Sequence, residues 1–241
     1  MKNIKYIAII LLGLITLYSC ETTDLDKREN PNALSPNQSD VNLSMNAILV
    51  RTGQFTNTIG SYGSRYTRIR NMFGNTYQEV FGASTFNGVW NQAYADIIND
   101  IRTMNDQIES LEGNYSKHQA VGDVIEAYLI VTLVDYFGEI PYTQAFDTEN
   151  LNPEPDDGSV VYDAAINLLD DAITKFQSEG GVSITNDLFY DNDYDVWVKL
   201  ANTMKMKIYI QQRLVNDSAL SDFETIAASG NYIQEGEDFV F

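Results

Sequence analysis

Between residues 87 and 111 the side chains Trp90, Tyr94, Ile97, Ile98, Ile101, Met104, Ile108 and Leu111 recur every three or four positions. A helix with 3.6 residues per turn gathers such positions on one face, whereas a strand alternates every second residue. The same period returns along the chain. A moderately amphipathic run covers residues 40–60, with Leu43, Ala47, Ile48 and Val50 apolar. A further helix is expected over residues 116–137, where Val121, Val124, Ile125, Tyr128, Leu129 and Val134 are apolar. Another starts at Ser159, read as its N-cap, and turns Tyr162, Ala165, Ile166, Leu169, Ala172, Ile173 and Phe176 inward. Trp197, Leu200, Ala201, Met204, Ile208 and Leu214 define one more, and a short helix follows at about 219–228. Residues 62–81 are rich in aromatics and arginines and carry the least regular pattern.

Helix breakers stand between these runs. Gly113-Asn114, Gly138 with Pro141, and Gly180-Gly181 are stop signals, and residues 139–158, with Pro141, Pro153 and Pro155, read as a loop. The fold class is therefore all-α. Helix pairs of similar length joined by turns stack as an α-solenoid or a bundle, although the sequence does not follow the tetratricopeptide consensus closely. The last residues, Glu237-Asp238-Phe239-Val240-Phe241, end on apolar side chains without a polar closing face, which reads as a helical domain incomplete at its C-terminus.

The first 19 residues belong to a different physical regime. Lys2 and Lys5 precede an almost unbroken apolar run from Tyr6 to Leu17. This run is shorter than the roughly 20 residues a membrane-spanning helix needs, and it has the length of a signal-peptide core. Leu17-Tyr18-Ser19-Cys20 resembles a bacterial lipobox, with Cys20 as the acylated first residue of the mature chain. Residues 20–38 then read as a lipidated cysteine and a flexible, polar tether, and residues 39–241 as the helical domain.

Charge narrows the partners. The leader holds two lysines and no acid, so the mature chain keeps 13 of 15 basic residues against 34 acidic ones, a formal charge of −21. Nucleic acid is excluded, because phosphates call for Lys and Arg, and so is adsorption to anionic headgroups. Attachment to a membrane rests on the lipid anchor. Cys20 is the only cysteine and His118 the only histidine, which leaves little for a thiolate or imidazole metal site or a Ser–His–Asp triad. His118 reads as a solvent-facing residue at a helix start. No phosphate loop or dinucleotide fingerprint is present, so no cofactor is expected. Asp187, Asp191, Asn192, Asp193 and Asp195 make an acidic loop; an EF-hand would need Gly at Val196 and Glu at Asn202, so it reads first as a turn capping the Trp197 helix, with a looser calcium site as the alternative.

A candidate ligand site lies between the first two helical runs. Sugars lay their C–H faces on aromatic rings while Arg and Asn bond the hydroxyls. Tyr62, Arg65, Tyr66, Arg68 and Tyr77 supply those groups, the first four at positions expected to be exposed, whereas Trp90 and Tyr94 lie on a clean helical stripe and read as core. Trp197, Tyr128 and Phe137 read as packing anchors, and Lys199, Lys205 and Lys207 as a solvated face.

Four ordered segments carry a resemblance. They are Trp90-x3-Tyr94-x2-Ile97-x7-Asn105; Glu126-Ala127-Tyr128-Leu129 with Leu133-Val134-Asp135-Tyr136-Phe137-Gly138-Glu139-Ile140-Pro141-Tyr142; Pro155-Asp156-Asp157 with Val161-Tyr162-Asp163 and Leu169-Asp170-Asp171-Ala172-Ile173; and Trp197-Val198-Lys199-Leu200-Ala201-Asn202-Thr203-Met204-Lys205-Met206-Lys207. Together they resemble the SusD/RagB family of outer-membrane nutrient-binding lipoproteins, in its starch-binding branch, over that family's N-terminal portion. The resemblance implies a SusD-like fold, a right-handed, helix-pair (TPR-like) α-solenoid with long irregular loops. It also implies a non-catalytic surface lipoprotein that binds an oligosaccharide or other nutrient and delivers it to a SusC-like TonB-dependent outer-membrane transporter. The other readings are a surface lipoprotein enzyme such as a glycoside hydrolase, and a helical scaffold without a ligand.

Overall fold

The computed structural model describes residues 40–71 and 82–239. Cys20, the leader, the tether and Tyr77 lie outside the described residues.

Asp40 starts the first helix, α1 (Val41–Tyr66), as its side chain accepts from the Asn42 backbone N–H at 2.9 Å. One face of α1 buries Val41, Met45, Ile48, Leu49, Phe55 and Ile59. The helix runs past the expected end near residue 60 and places Tyr62 and Tyr66 on its last turn. A 3-10 turn (Ala83–Phe86) leads into α2 (Asn87–Trp90), a π-helical stretch (Asn91–Ile98) and α3 (Asn99–Glu109). The single helix expected here is thus wider in its middle third, and the stripe survives because Ala93, Ile97, Ile98, Ile101, Met104 and Ile108 are all buried.

Next come α4 (Ser116–Phe137), α5 (Gly158–Gln177), α6 (Tyr194–Gln212) and α7 (Ala219–Ser229). Asp157, and not Ser159, caps α5: its carboxylate accepts from the Ser159 N–H at 2.8 Å. Asp193 caps α6 in the same way, accepting from Val196 N–H. Gly138, at φ 84, ends α4 with its N–H on the Val134 carbonyl. Among the described residues no strand forms; one isolated bridge, Ile140 to Asp156, closes the long loop after α4. Asp156 holds that loop by accepting from the backbone N–H groups of Tyr142 and Thr143, each at 2.8 Å.

The helices stack as successive pairs in a TPR-like order. The start of α5 meets the end of α4, where the Tyr162 hydroxyl donates to Asp135 at 2.6 Å. The start of α6 meets the end of α5, where Phe176 stacks on Tyr194 and Trp197. Helix α4 is central, packed by α1, α3, α5 and α6, so its polar residues are buried with its apolar ones. His118 is one of them: it is fully buried and not solvent-facing, with Nε2 3.0 Å from Asn42 Oδ1. Trp197 is a fully buried anchor, as its sequence position suggests.

One other group differs from expectation. Lys199, Lys205 and Lys207 do not form a free solvated face but pair with Glu237, Asp170 and Asp135. In the acidic loop, Asp187 is buried and accepts from the N–H groups of Phe189 (3.1 Å) and Asn192 (3.0 Å) and from Trp197 Nε1 (2.7 Å). Its carboxylate is committed to fixing the loop on α6. No cluster of three acidic, His or Cys ligands exists among the described residues.

Candidate functional site

The end of α1 and the end of α4 meet where the Tyr136 hydroxyl lies over Gly63. A β-carbon at Gly63 would sit 2.4 Å from the Tyr136 hydroxyl, which itself donates to the Ile59 carbonyl at 3.2 Å. Gly63→Ala should push Tyr136 off that carbonyl and cost about 1 kcal/mol, the order of one hydrogen bond; a lowered denaturation midpoint would report it.

Beside this contact opens a groove of about 530 Å³, lined by Tyr62, Gly63, Tyr66, Thr67, Phe86, Asp135, Tyr136 and Phe137. Five of the eight residues are aromatic. A volume of this order is typical of small-ligand sites. The rings are fixed by one another: Tyr62 meets Phe86 edge-on at 5.2 Å, Phe86 meets Phe137 at 5.2 Å, and Phe137 packs on Trp90 at 4.8 Å. The Tyr62 hydroxyl donates to the Thr85 carbonyl at 3.3 Å. Tyr66 is the exposed member, with 61% of its surface open to solvent.

Among the described residues Asp135 is the groove's one carboxylate. It accepts from the Tyr162 hydroxyl, lies 2.6 Å from Lys207 Nζ and 3.5 Å from Gln211 Nε2. Its charge is thereby balanced in place. Burial pushes the Tyr136 phenol up, helped by Tyr128 and Asp135, so it stays a neutral donor across the physiological range. The groove thus offers flat apolar faces and fixed hydroxyls rather than a poised acid and base.

A second hollow, between α3 and residues 145–148, is of a different kind. Its aromatic ring, Phe146, lies between Tyr94, stacked at 6.0 Å, and the Arg102 guanidinium, 4.0 Å from its centroid. Arg102 also pairs with Glu126 at 3.2 Å.

Of the residues singled out in the sequence, the structure brings Tyr62 and Tyr66 into the groove. Arg65 and Arg68 are exposed on the same helix end but outside its lining. Asp135 and Tyr136 carry no ligand-site signal in the sequence, and Phe137 reads there as a packing anchor only. Phe137 does pack, and it lines the groove as well. The signal for these three was the aromatic end of α4, Tyr136-Phe137-Gly138, whose proximity to Tyr62 no local pattern encodes.

A family model described as starch-binding, associating with outer membrane, matches residues 32–240. The chain belongs to the SusD-like family. Solved members share its architecture. A SusD/RagB family protein from Bacteroides thetaiotaomicron is 25% identical with a TM-score of 0.71, over 81% of this chain and 43% of its own. A SusD homologue from Parabacteroides distasonis is 19% identical with a TM-score of 0.64, covering 80% and 39%. A chitin-binding SusD homologue from Flavobacterium johnsoniae, 16% identical with a TM-score of 0.61, shares the fold over 80% of this chain and 43% of its own. This SusD-like chain thus spans less than half the length of these structures. No curated protein matches its sequence.

Proposed function

We propose that this SusD-like chain belongs to a non-catalytic lipoprotein of the outer membrane, anchored through Cys20, that captures glycan in the aromatic groove. The glycan then passes to a TonB-dependent transporter of the SusC kind. The observation that carries this reading is the groove itself, five aromatic residues with a charge-balanced carboxylate and fixed hydroxyls. Pyranose rings present one face of C–H groups and a rim of hydroxyls, which is the complement of such a lining. The family description and the chitin-binding relative point to the same ligand class. Among the described residues no helix is long and apolar enough to cross a membrane, which suits attachment by lipid.

Titration with chitin and starch oligosaccharides, with reducing-sugar release followed in the same samples, tests the proposal. Saturable binding without turnover is the expected result, and release of sugar would replace it with the hydrolase reading. Tyr66→Ala should weaken binding roughly tenfold, since an aromatic contact and its buried area are together worth about 1–2 kcal/mol. Because Tyr66 is exposed, its melting temperature should stay within about 1 °C of the parent's. Unchanged affinity in the folded variant would remove Tyr66 from the site.

A further inference from the structure

Helix α7 ends at Gly230, whose φ of 67 is the left-handed cap that lets the chain turn back. The returning segment is strapped to α6. Asn202 Nδ2 donates to the Asn231 carbonyl at 2.8 Å, and Thr203 Oγ1 accepts from the Ile233 N–H at 2.9 Å. Tyr232 is thereby held beside α6. With Phe223 of α7 and with Met206 and Ile210 of α6 it lines a hollow of about 410 Å³. Residues 203, 206, 207, 210 and 211 recur at three- and four-residue steps and share one face of α6, which brings the polar Lys207 and Gln211 to the same hollow.

Lys207 and Gln211 connect this hollow to the aromatic groove. Asp135, which lines the groove, lies 2.6 Å from Lys207 Nζ and 3.5 Å from Gln211 Nε2. The two hollows therefore meet at one ion pair. That pair is not sealed in the core, since the Lys207 side chain keeps 49% of its surface open and that of Asp135 keeps 15%. It also retains hydrogen-bonding capacity. An ammonium has three donors, of which Asp135 takes one, and the exposed Gln211 brings a carbonyl oxygen as well as N–H groups. A sugar hydroxyl both donates and accepts, so a crossing of mixed donors and acceptors suits it.

We propose that the α6–α7 hollow is a second subsite of the glycan site, and that the ligand is an oligosaccharide long enough to lie across the Asp135–Lys207 pair with a sugar ring in each hollow. This rests on the glycan-binding reading and adds the length of the ligand and the path it takes. Both hollows present aromatic rings to the C–H faces of a sugar, and the crossing between them meets its hydroxyls. A disaccharide occupies the groove alone. A longer chain, once held in the groove, makes its second contact within one complex, so that affinity rises with length.

The test titrates ladders of chitin and starch oligosaccharides, from disaccharide to octasaccharide, against the parent and three variants. In at least one ladder the longest member should bind the parent roughly tenfold or more tightly than the disaccharide, the worth of one further aromatic contact and its buried area. Tyr232→Ala should erase that gain and leave disaccharide affinity unchanged, because the straps on α6 use the backbone of residues 231 and 233 and not the Tyr232 ring. Gln211→Ala, a change at the exposed crossing, should reduce the gain without disturbing the fold. Tyr66→Ala, in the groove, should instead weaken every length alike. A flat ladder in the parent, or a gain that survives intact in the folded Tyr232→Ala and Gln211→Ala variants, would overturn the second subsite and leave the groove reading standing. Failure of every oligosaccharide to bind would overturn both.

Discussion

Replacing Lys117 with methionine should lower the stability of the chain by about 3 kcal/mol, although the residue touches no part of the groove. Lys117 is buried at the start of α4, and its ammonium donates to the carbonyls of Lys175, Phe176 and Ser178 at 3.0, 2.8 and 2.7 Å. Helix α5 ends there, so these carbonyls have no helical N–H ahead of them and carry the negative end of its dipole. A lysine has three donors to give, and three acceptors take them. Burial lowers the Lys117 pKa, a penalty that the ring of carbonyls offsets. Methionine removes the penalty but leaves the buried Phe176 carbonyl and the half-buried Ser178 carbonyl unpaired, at about 1–3 kcal/mol each and partly recovered by water, while the Lys175 carbonyl keeps the Ser178 hydroxyl at 2.7 Å. For a chain of this size the melting temperature should fall by roughly 6–12 °C. Lys117→Arg should not restore it, because a planar fork cannot address three converging carbonyls. Gly181 adds a steric reason: at φ 110 it passes so close that a β-carbon would lie 3.2 Å from Lys117 Cγ. A methionine variant melting within 2 °C of the parent would show that solvent satisfies this helix end unaided.

Lys117 also illustrates what a sequence conveys and what it withholds. The apolar stripes of Ile97 to Ile108, Leu169 to Phe176 and Trp197 to Ile208 are local, and a local period sufficed to place those helices. The status of a polar residue depends on what lies across from it. Lys117, His118, Asp123 and Glu126 look like a solvated face until α1, α3 and α5 are packed around α4, and their partners stand 16 to 76 positions away. Lys205 and Lys207 mislead for the same reason, since Asp170 and Asp135 belong to neighbouring helices. The groove divides in the same way. Tyr62 and Tyr66 were legible from composition and helical position, whereas Asp135, Tyr136 and Phe137 join them through a helix contact in which the Tyr136 ring lies over Gly63. The caps were half legible: Asp157 and Ser159 both suit the start of α5, and the backbone angle at residue 157 decides between them.

Acidification should destabilise the native chain relative to a His118→Gln variant by about 3 kcal/mol between pH 7 and pH 4. His118 is fully buried, its Nε2 bonded to Asn42 Oδ1, which also accepts from the Thr185 N–H at 2.9 Å; its Nδ1 has no partner among the described residues. Burial pushes its pKa down to about 4, with Asp40 pulling weakly the other way. The unfolded chain, with an imidazole near 6.5, takes up its proton first as the pH falls. The stability held by the neutral ring is therefore complete above about pH 6.5 and is lost progressively down to about pH 4. Asp123 works in the opposite sense. Burial, only partly offset by Lys175, raises its carboxyl to about 6, so the folded state gains the proton first and is relieved on acidification. The two nearly cancel in the native protein between pH 6 and pH 4, and the histidine's share emerges only as a difference. Glutamine can keep the donor to Asn42 and does not titrate, so urea denaturation of both proteins at pH 7, 6, 5 and 4 isolates that share. A difference that stays constant across the series would place a water or a carbonyl on Nδ1 and return the imidazole to an ordinary pKa.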